Sequence, residues 1–279
     1  MSADRVERLL LALEAWAVAR DDVHAAVVVG SQARSDLPAD RFADVDVLLV
    51  VDALGPFLDD TRWLHAFGTP VLTFLEPTAV GGQTERRVLY DDGQDVDFAV
   101  VPLSDAEIPA AAGRVLARGF RVLVDKASLE ERLRAAADAA GAEAPPTPAE
   151  FEEVVHDFWY HLILAAKKLA RGEIFHAKQI CDCYCKSLLV QMVEWRQREA
   201  GVPTWHGSRL FERWCGEDVR KDLAVTFARY DGDDVERALR ATGALFERVA
   251  SAYAARHDFP PSPHEAARAQ LDAVRGHRS

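Results

Sequence analysis

The sequence contains no uninterrupted apolar run of the roughly 20 residues that a helix needs to cross a bilayer. Residues 2–20 instead alternate charged residues with apolar ones such as Leu9, Leu13 and Trp16. That stripe is typical of an amphipathic helix and differs from the continuous apolar segment of a secretory signal. We therefore expect no membrane segment and a cytoplasmic location.

Cysteine is scarce: the 279 residues include four. Three lie in the run Cys181-Asp182-Cys183-Tyr184-Cys185, inside a segment with a helical pattern. On a helix the first and third of these cysteines share a face while the middle one points elsewhere. This spacing fits neither a tetrahedral zinc site nor a disulfide framework, so free thiols, buried or partly buried, are expected.

Positive charge is also in short supply, since 33 Lys and Arg stand against 45 Asp and Glu for a net charge of −12. Nucleic-acid binding normally needs a basic surface, so no nucleic-acid partner is expected. An acidic surface attracts cationic ligands, which favours a positively charged small molecule as a partner.

Hydrophobic periodicity divides the chain into two parts. Apolar, β-branched runs predict strands at 24–30, 45–51, 71–75 and 120–124, and a hairpin over 86–101. Helical stretches are predicted at 59–67 and up to about residue 140. The stretch 141–150 is rich in proline and predicts a linker. The first part, residues 1–142, is thus predicted to be an α/β (α+β) domain with a mixed β-sheet.

Beyond the linker the periodicity is helical. Patterns over 150–199, 217–229 and 232–256 predict helices, and no run there is typical of a strand. We therefore predict an all-α helical bundle domain over residues 150–279.

Three aspartates interrupt otherwise apolar strands. Asp44 and Asp46 flank Val45 at the start of one predicted strand, and Asp97 lies between Val96 and Phe98 on a later one. Alternate residues of a strand point to the same face, so Asp44 and Asp46 are expected to project together. Carboxylates placed so close repel each other, and burying them as anions is costly.

A magnesium ion removes both penalties, because Mg²⁺ prefers a few carboxylate oxygens together with phosphates and water. The sequence therefore predicts Asp44, Asp46 and Asp97 as metal-binding and catalytic residues. The third acid allows a second Mg²⁺ or a proton acceptor beside an incoming hydroxyl.

Gly30-Ser31 follows the first predicted strand. Glycine lets a phosphate approach the backbone closely, and a serine that begins a short helix offers its amide and hydroxyl to phosphate oxygens. Arg34 adds a positive charge nearby. These three residues are predicted to bind the phosphates of a nucleotide.

Gly-Ser, twelve residues, Asp-x-Asp and a third acid on a later strand together resemble the nucleotidyltransferase superfamily of DNA polymerase β. Within it, the chain resembles the aminoglycoside 6-adenylyltransferase (streptomycin adenylyltransferase) family over nearly its whole length. The first-half pieces are Gly30-Ser31-x-Ala33, Phe42-x-Asp44-Val45-Asp46, Trp63-Leu64-x-x-Phe67-Gly68, Leu89-Tyr90-Asp91-Asp92-Gly93 and Val96-Asp97-Phe98. The second-half pieces are Phe158-Trp159, Lys167, Arg171-x-Glu173-Ile174 and Met192-x-x-Trp195.

The resemblance implies an adenylyltransferase that uses Mg-ATP, with its active site between a nucleotidyltransferase domain and a helical domain. It implies that Asp44 and Asp46 ligate magnesium and that Asp97 is ligand, general base or both. Lys167 and Arg171, four residues apart, are expected to reach the phosphates, an exposed basic stripe being the alternative.

The acceptor is expected to be a small cationic molecule, with an aminoglycoside such as streptomycin implied by the resemblance. Glu173 and Asp182 are predicted to bind it, ordinary surface acids being the alternative. Gln32 and Lys186 replace arginines common in the family, so the identity of the acceptor stays open. The protein is expected to be a monomer.

Two other functions are compatible with the same residues. One is a nucleotidyltransferase with a different acceptor, namely a lincosamide, a protein or a tRNA, as in toxin–antitoxin systems. The net charge of −12 argues against tRNA. The other is a catalytically silent nucleotide-binding module, which the presence of all three carboxylates argues against, because buried acids cost stability without a metal.

Overall fold

The computed structural model describes residues 2–34, 37, 39–80, 82–104, 108–141, 143–260 and 262–275. The chain divides into two compact units, Met1–Ala142 and Glu143–Ser279. Residue 142, at the predicted end of the first domain, lies outside the described residues. Among the described helices, none is long and apolar enough to cross a membrane.

A six-stranded sheet forms the centre of the described part of the first unit. Its strands are β1 (Val23–Val29), β2 (Val45–Val51), β3 (Pro70–Pro77), β4 (Thr84–Tyr90), β5 (Asp95–Pro102) and β6 (Arg121–Asp125). Their order across the sheet is β3-β4-β5-β2-β1-β6. Strands β2 and β5 are parallel and the other neighbouring pairs are antiparallel, which confirms the predicted mixed sheet.

The helices of this unit are short, apart from the first. They are α1 (Ser2–Val18), α2 (Gly55–Leu58), α3 (Ala110–Leu116) and α4 (Glu130–Asp138), with 3-10 turns at Gly30–Gln32 and Arg62–Ala66. The helix predicted at 59–67 is wrong in its bounds. The Trp63 indole donates to the carbonyls of Phe57 and Asp60 at 3.2 and 2.9 Å, so the chain folds around the indole instead of continuing as a helix.

The two faces of the sheet are packed differently. One face carries an aromatic cluster, in which every member packs against at least one other ring: Trp16, Phe57, Trp63, Phe67 and Phe98. Val45, Val47 and Val96 are buried in the same core. Since side chains alternate along a strand, Asp46 and Asp97 face the opposite side, away from the aromatic cluster.

The described part of the second unit is helical. Its helices are α5 (Pro148–Ala170), α6 (Ile174–Gln179), α7 (Cys185–Glu199), α8 (Phe211–Trp214), α9 (Glu217–Leu223), α10 (Gly232–His257) and α11 (His264–Arg275). A π-helical turn, Ile180–Tyr184, joins α6 to α7. The longest run predicted as helical therefore contains two breaks, one after α5 and one at the π turn. Helix α5 starts at a capping box in which Thr147 and Glu150 satisfy each other's backbone N–H groups.

The core of this unit is built around aromatic stacking and one buried cation. The Phe158 and Phe246 rings are parallel at a centroid distance of 3.6 Å, and both are fully buried. Lys186 donates to the Thr226 carbonyl at 2.9 Å and to the Thr242 hydroxyl at 2.8 Å. Burial lowers the pKa of this lysine. The cysteines are free, with Cys183 exposed and the other three buried.

Phe158→Ala is expected to destabilise the second unit by about 3–5 kcal/mol, because it removes a stacked and fully buried ring. Urea unfolding followed by fluorescence measures the loss. Tyr160→Ala on the same helix is the control, since that ring is 67% exposed and its loss should cost less than about 0.5 kcal/mol. Equal effects of the two changes would contradict the packing described for α5.

Candidate active site

Three aspartates meet where β2 and β5 begin. The parallel register sets Asp46 directly opposite Asp97, while on its other side Asp46 lies opposite Val29, the last residue of β1. Strand β2 begins at Val45, the predicted first residue, so Asp44 lies just before the strand and does not alternate with Asp46 along it. One carboxylate oxygen of each aspartate lies within 4.8 Å of the other two. The sheet thus gathers the three acids that the sequence singled out.

Asp97 is the most buried of the three acids, with 6% of its surface exposed. Burial raises the pKa of this carboxyl to about 7, against a lowering effect of Arg87 and further raising effects of Asp46, Glu85 and Asp44. In the absence of a metal this group therefore titrates near neutral pH, which is the range useful for a general base.

Gly30 lies against the Asp46 carboxylate. Its φ of +65° is in the left-handed region, and a Cβ atom at this position would lie 2.0 Å from Asp46 Oδ2. A side chain here would collide with the carboxylate as well as straining the backbone. The glycine is therefore required by the position of Asp46, whatever it also does for a phosphate.

Ser31 and Gln32 fix the segment that leads into β2. The Ser31 hydroxyl and the Gln32 amide both donate to the backbone carbonyl of Asp44, at 3.1 and 3.2 Å. Arg34 donates from Nε to the Leu37 carbonyl at 2.7 Å. Phosphate binding by Gly30, Ser31 and Arg34 stays a prediction. The hydrogen bonds show that the Ser31 and Arg34 side chains also hold backbone carbonyls of this segment in place.

An arginine that the sequence analysis missed contacts the third aspartate. Arg87 on β4 lies directly opposite Asp97 on β5, and its Nη2 is 2.7 Å from Asp97 Oδ2. Its Nε is 2.6 Å from Glu76 and 3.0 Å from Glu85. The predicted hairpin sets these two strands side by side, but counting back from its turn at 91–94 pairs position 97 with position 88. The observed register is shifted by one residue, and this shift makes Arg87 the partner of Asp97.

In the second unit, Lys167 and Arg171 do not both lie within one helix. Lys167 is exposed on the last turn of α5, whereas Arg171 is the residue that caps that helix. The Arg171 Nε lies 3.0 Å from a Glu173 oxygen. The placement of both residues on one helix is therefore corrected, and their contact with phosphate stays a prediction.

Glu173 and Asp182 lie in different elements of the run 150–199 that is predicted as helical. Glu173 precedes α6 as its N-cap residue. It also pairs with Lys168 at 3.1 Å, and the hydrogen bond from Lys168 lowers the Glu173 pKa. Asp182 lies in the π-helical turn, where it pairs with Lys178. Both acids already have cationic partners, and their binding of an acceptor stays a prediction.

The residues at the sheet end fit a divalent metal. All three groups are carboxylates, which supply the hard oxygen ligands that Mg²⁺ prefers. One carboxylate oxygen of each converges on a common place within 4.8 Å of the other two. Burial is the main cause of the raised Asp97 pKa, and a metal would offset the smaller contributions of Asp46 and Asp44.

Comparison with known proteins gives consistent matches. A family model described as streptomycin adenylyltransferase matches residues 5–270. An aminoglycoside 6-adenylyltransferase of Bacillus subtilis (strain 168) is 24% identical over 232 residues, which are 80% of this chain and 81% of that protein. Another, from Campylobacter jejuni, is 22% identical over 241 residues, 82% of this chain and 81% of that protein. A crystal structure of an aminoglycoside 6-adenyltransferase from Bacillus subtilis covers 96% of both chains at 18% identity, with a TM-score of 0.47.

Gly30→Ala is expected to abolish stabilisation by Mg²⁺, because the new methyl group displaces the Asp46 carboxylate. The readout is the rise in melting temperature on adding Mg²⁺ to chelator-treated protein. Gly93→Ala is the matched control: its φ of +78° gives similar backbone strain, but nothing lies within 4 Å of its added Cβ. Equal responses of the two variants to Mg²⁺ would show that both substitutions act through backbone strain alone, and that Gly30→Ala does not displace Asp46.

The raised Asp97 pKa makes the metal-free protein less stable as pH rises. The folded carboxyl keeps its proton up to about pH 7, whereas the unfolded one loses it near its ordinary value of 3.8, so stability falls between these values. At pH 8 in chelator, Asp97→Asn is expected to be more stable than wild type by up to about 4 kcal/mol.

The advantage of Asp97→Asn should shrink toward pH 5, where the wild-type carboxyl is mostly protonated. Asp95→Asn, at an exposed position of the same strand, should show no such trend. Urea unfolding at the two pH values makes the comparison, and a pH-independent difference would contradict the assigned cause.

Proposed function

We propose, because the chain belongs to the streptomycin adenylyltransferase family, that it transfers AMP from Mg-ATP to a hydroxyl of a cationic aminoglycoside such as streptomycin. The observation that carries the proposal is the convergence of Asp44, Asp46 and Asp97 at one end of the sheet. Residues 1–142 are proposed as the nucleotidyltransferase domain and 150–279 as a separate helical domain.

Asp44 and Asp46 are proposed as the principal metal ligands, joined by Asp97. When bound, Mg²⁺ supplies positive charge to the nucleotide phosphates and to the departing pyrophosphate. The protein's own contribution is to keep the ligands in place. Ser31 and Gln32 hold the backbone of Asp44, and the register with β5 sets Asp46 beside Asp97.

Asp97 is proposed to accept the proton of the attacking hydroxyl. The acceptor oxygen forms a bond to the α-phosphorus, the bond between that phosphorus and the pyrophosphate oxygen breaks, and the hydroxyl proton passes to the Asp97 carboxylate. Its place next to Asp46 puts the proton acceptor beside the metal ligands.

The acidic character of the chain supports a cationic acceptor. A net charge of −12 attracts aminoglycosides, which are positively charged at neutral pH. The two curated relatives are named as acting on aminoglycosides at position 6, which supports transfer to the corresponding hydroxyl. Glu173 and Asp182 are proposed to contribute to binding by exchanging their present Lys and Arg partners for amino or guanidino groups of the acceptor.

Pyrophosphate release from Mg-ATP tests this function. We expect release that requires streptomycin or a related aminocyclitol, and a fall of at least about 100-fold in Asp46→Asn and Asp97→Asn, because each loses a charge at the reacting centre. The panel includes other aminoglycosides, a lincosamide and a sample with no acceptor. The surface variant Asp95→Asn is the control for loss of a carboxylate from the same strand.

Release with a lincosamide alone would replace the proposed acceptor, and release without any acceptor would indicate simple hydrolysis. Retention of activity in Asp97→Asn would remove the general base from the mechanism. Stabilisation by Mg-ATP without release under any condition would indicate a nucleotide-binding protein that does not catalyse the transfer.

A further inference from the structure

A row of charged side chains crosses three neighbouring strands. Asp97 on β5 lies directly opposite Asp46 on β2 and directly opposite Arg87 on β4. Directly opposed residues share a face and have Cβ atoms about 4.5–5.5 Å apart. The Asp97 carboxylate therefore lies between another carboxylate on one side and a guanidinium group on the other.

Two glutamates hold Arg87 from the side away from the metal ligands. Glu76 on β3 and Glu85 on β4 are themselves directly opposed, and like charges in such a pair destabilise a sheet. The Arg87 Nε lies 2.6 Å from Glu76 and 3.0 Å from Glu85, while its Nη2 contacts Asp97 at 2.7 Å. One guanidinium group thus joins a carboxylate of the edge strand β3 and a carboxylate of β4 to the third aspartate of the site.

Of the three carboxylates that contact Arg87, Asp97 is the most shielded from water. The Asp97 side chain is 7% exposed, against 40% for Arg87, so the ion pair is only partly screened. A planar guanidinium group also limits the directions in which its partner carboxylate can turn. Loss of Arg87 would leave Asp97 facing Asp46 and Asp44 with less compensation and more rotational freedom.

We propose that Arg87 is a positioning residue of the transfer reaction, which holds the Asp97 carboxylate from the β4 side and balances part of the negative charge of the three aspartates. Glu76 and Glu85 keep Arg87 in place. Its effect on turnover rests on the proposed function. Its effect on metal binding does not, because that follows from the charges alone.

Metal-dependent stability tests the charge-balancing role without any catalysis. Melting temperatures of wild type, Arg87→Met, Arg87→Lys and Arg121→Met are measured after chelation and again at saturating Mg²⁺. Arg121, on the edge strand β6 of the same sheet, is the matched control, because it forms an ion pair with Glu7 of α1. We expect a larger Mg²⁺-induced rise in Arg87→Met than in wild type, because the metal then relieves more repulsion, and unchanged rises in Arg121→Met and Arg87→Lys.

Steady-state kinetics with Mg-ATP and streptomycin test the positioning role. Arg87→Met is expected to lower kcat about 10- to 100-fold, because a misplaced proton acceptor has an effect of this order. The KM for ATP should change less than about twofold, since Arg87 contacts Asp97 and not the proposed phosphate-binding residues. Arg87→Lys, which keeps the charge but not the planar fork, should lie between wild type and Arg87→Met.

An unchanged Mg²⁺-induced rise in Arg87→Met, including no rise in either protein, would overturn the charge-balancing role. Wild-type kcat in folded Arg87→Met would overturn the positioning role. If Arg87→Met does not fold, wild-type kcat in Arg87→Lys would overturn positioning by the guanidinium. Wild type that shows no transfer to any acceptor contradicts the proposed function, and the stability comparison then still decides whether Arg87 is coupled to the metal ligands.

Discussion

Repulsion among three carboxylates is the constraint around which the first unit is arranged. Asp44, Asp46 and Asp97 offer oxygens within 4.8 Å of one another, a grouping that costs free energy unless positive charge is brought to it. Several local features are explained by this repulsion. Gly30 leaves room for the Asp46 carboxylate, two side-chain hydrogen bonds hold the backbone of Asp44, and Arg87 provides a cation for Asp97.

The sheet makes this arrangement rigid by using its two faces for different purposes. Phe98 and Val96 anchor β5 in the aromatic core, and Val45 and Val47 anchor β2 in the same core. The residue between each pair, Asp97 or Asp46, must then point to the other face. Packing energy on one side is therefore what prevents the acids on the other side from moving apart.

The same electrostatics connect stability with function. Burial and neighbouring acids raise the pKa of Asp97, so this carboxyl, the proposed proton acceptor, is costly to ionise in the metal-free protein. Arg87 acts in the opposite direction, favouring the ionised form. In the proposed reaction, a divalent metal and Arg87 together offset the repulsion among the three carboxylates. Core packing keeps these carboxylates close together despite their repulsion, and supporting structure commonly has this task at a strained site.

The sequence alone determined which three acids stand out, because acids inside apolar strands are costly to bury, and it determined the mixed sheet through periodicity. The chemistry of these acids stays a prediction. Family motifs added the adenylyltransferase assignment, which the family match confirms. Tertiary structure decided what depends on contacts between distant segments: the Arg87–Asp97 pair across β4 and β5, the fold of residues 55–66 around Trp63, and the placement of Glu173 before α6 and of Asp182 in the π turn after it. Periodicity describes one segment at a time, whereas strand register and buried hydrogen-bond partners are set only when segments meet.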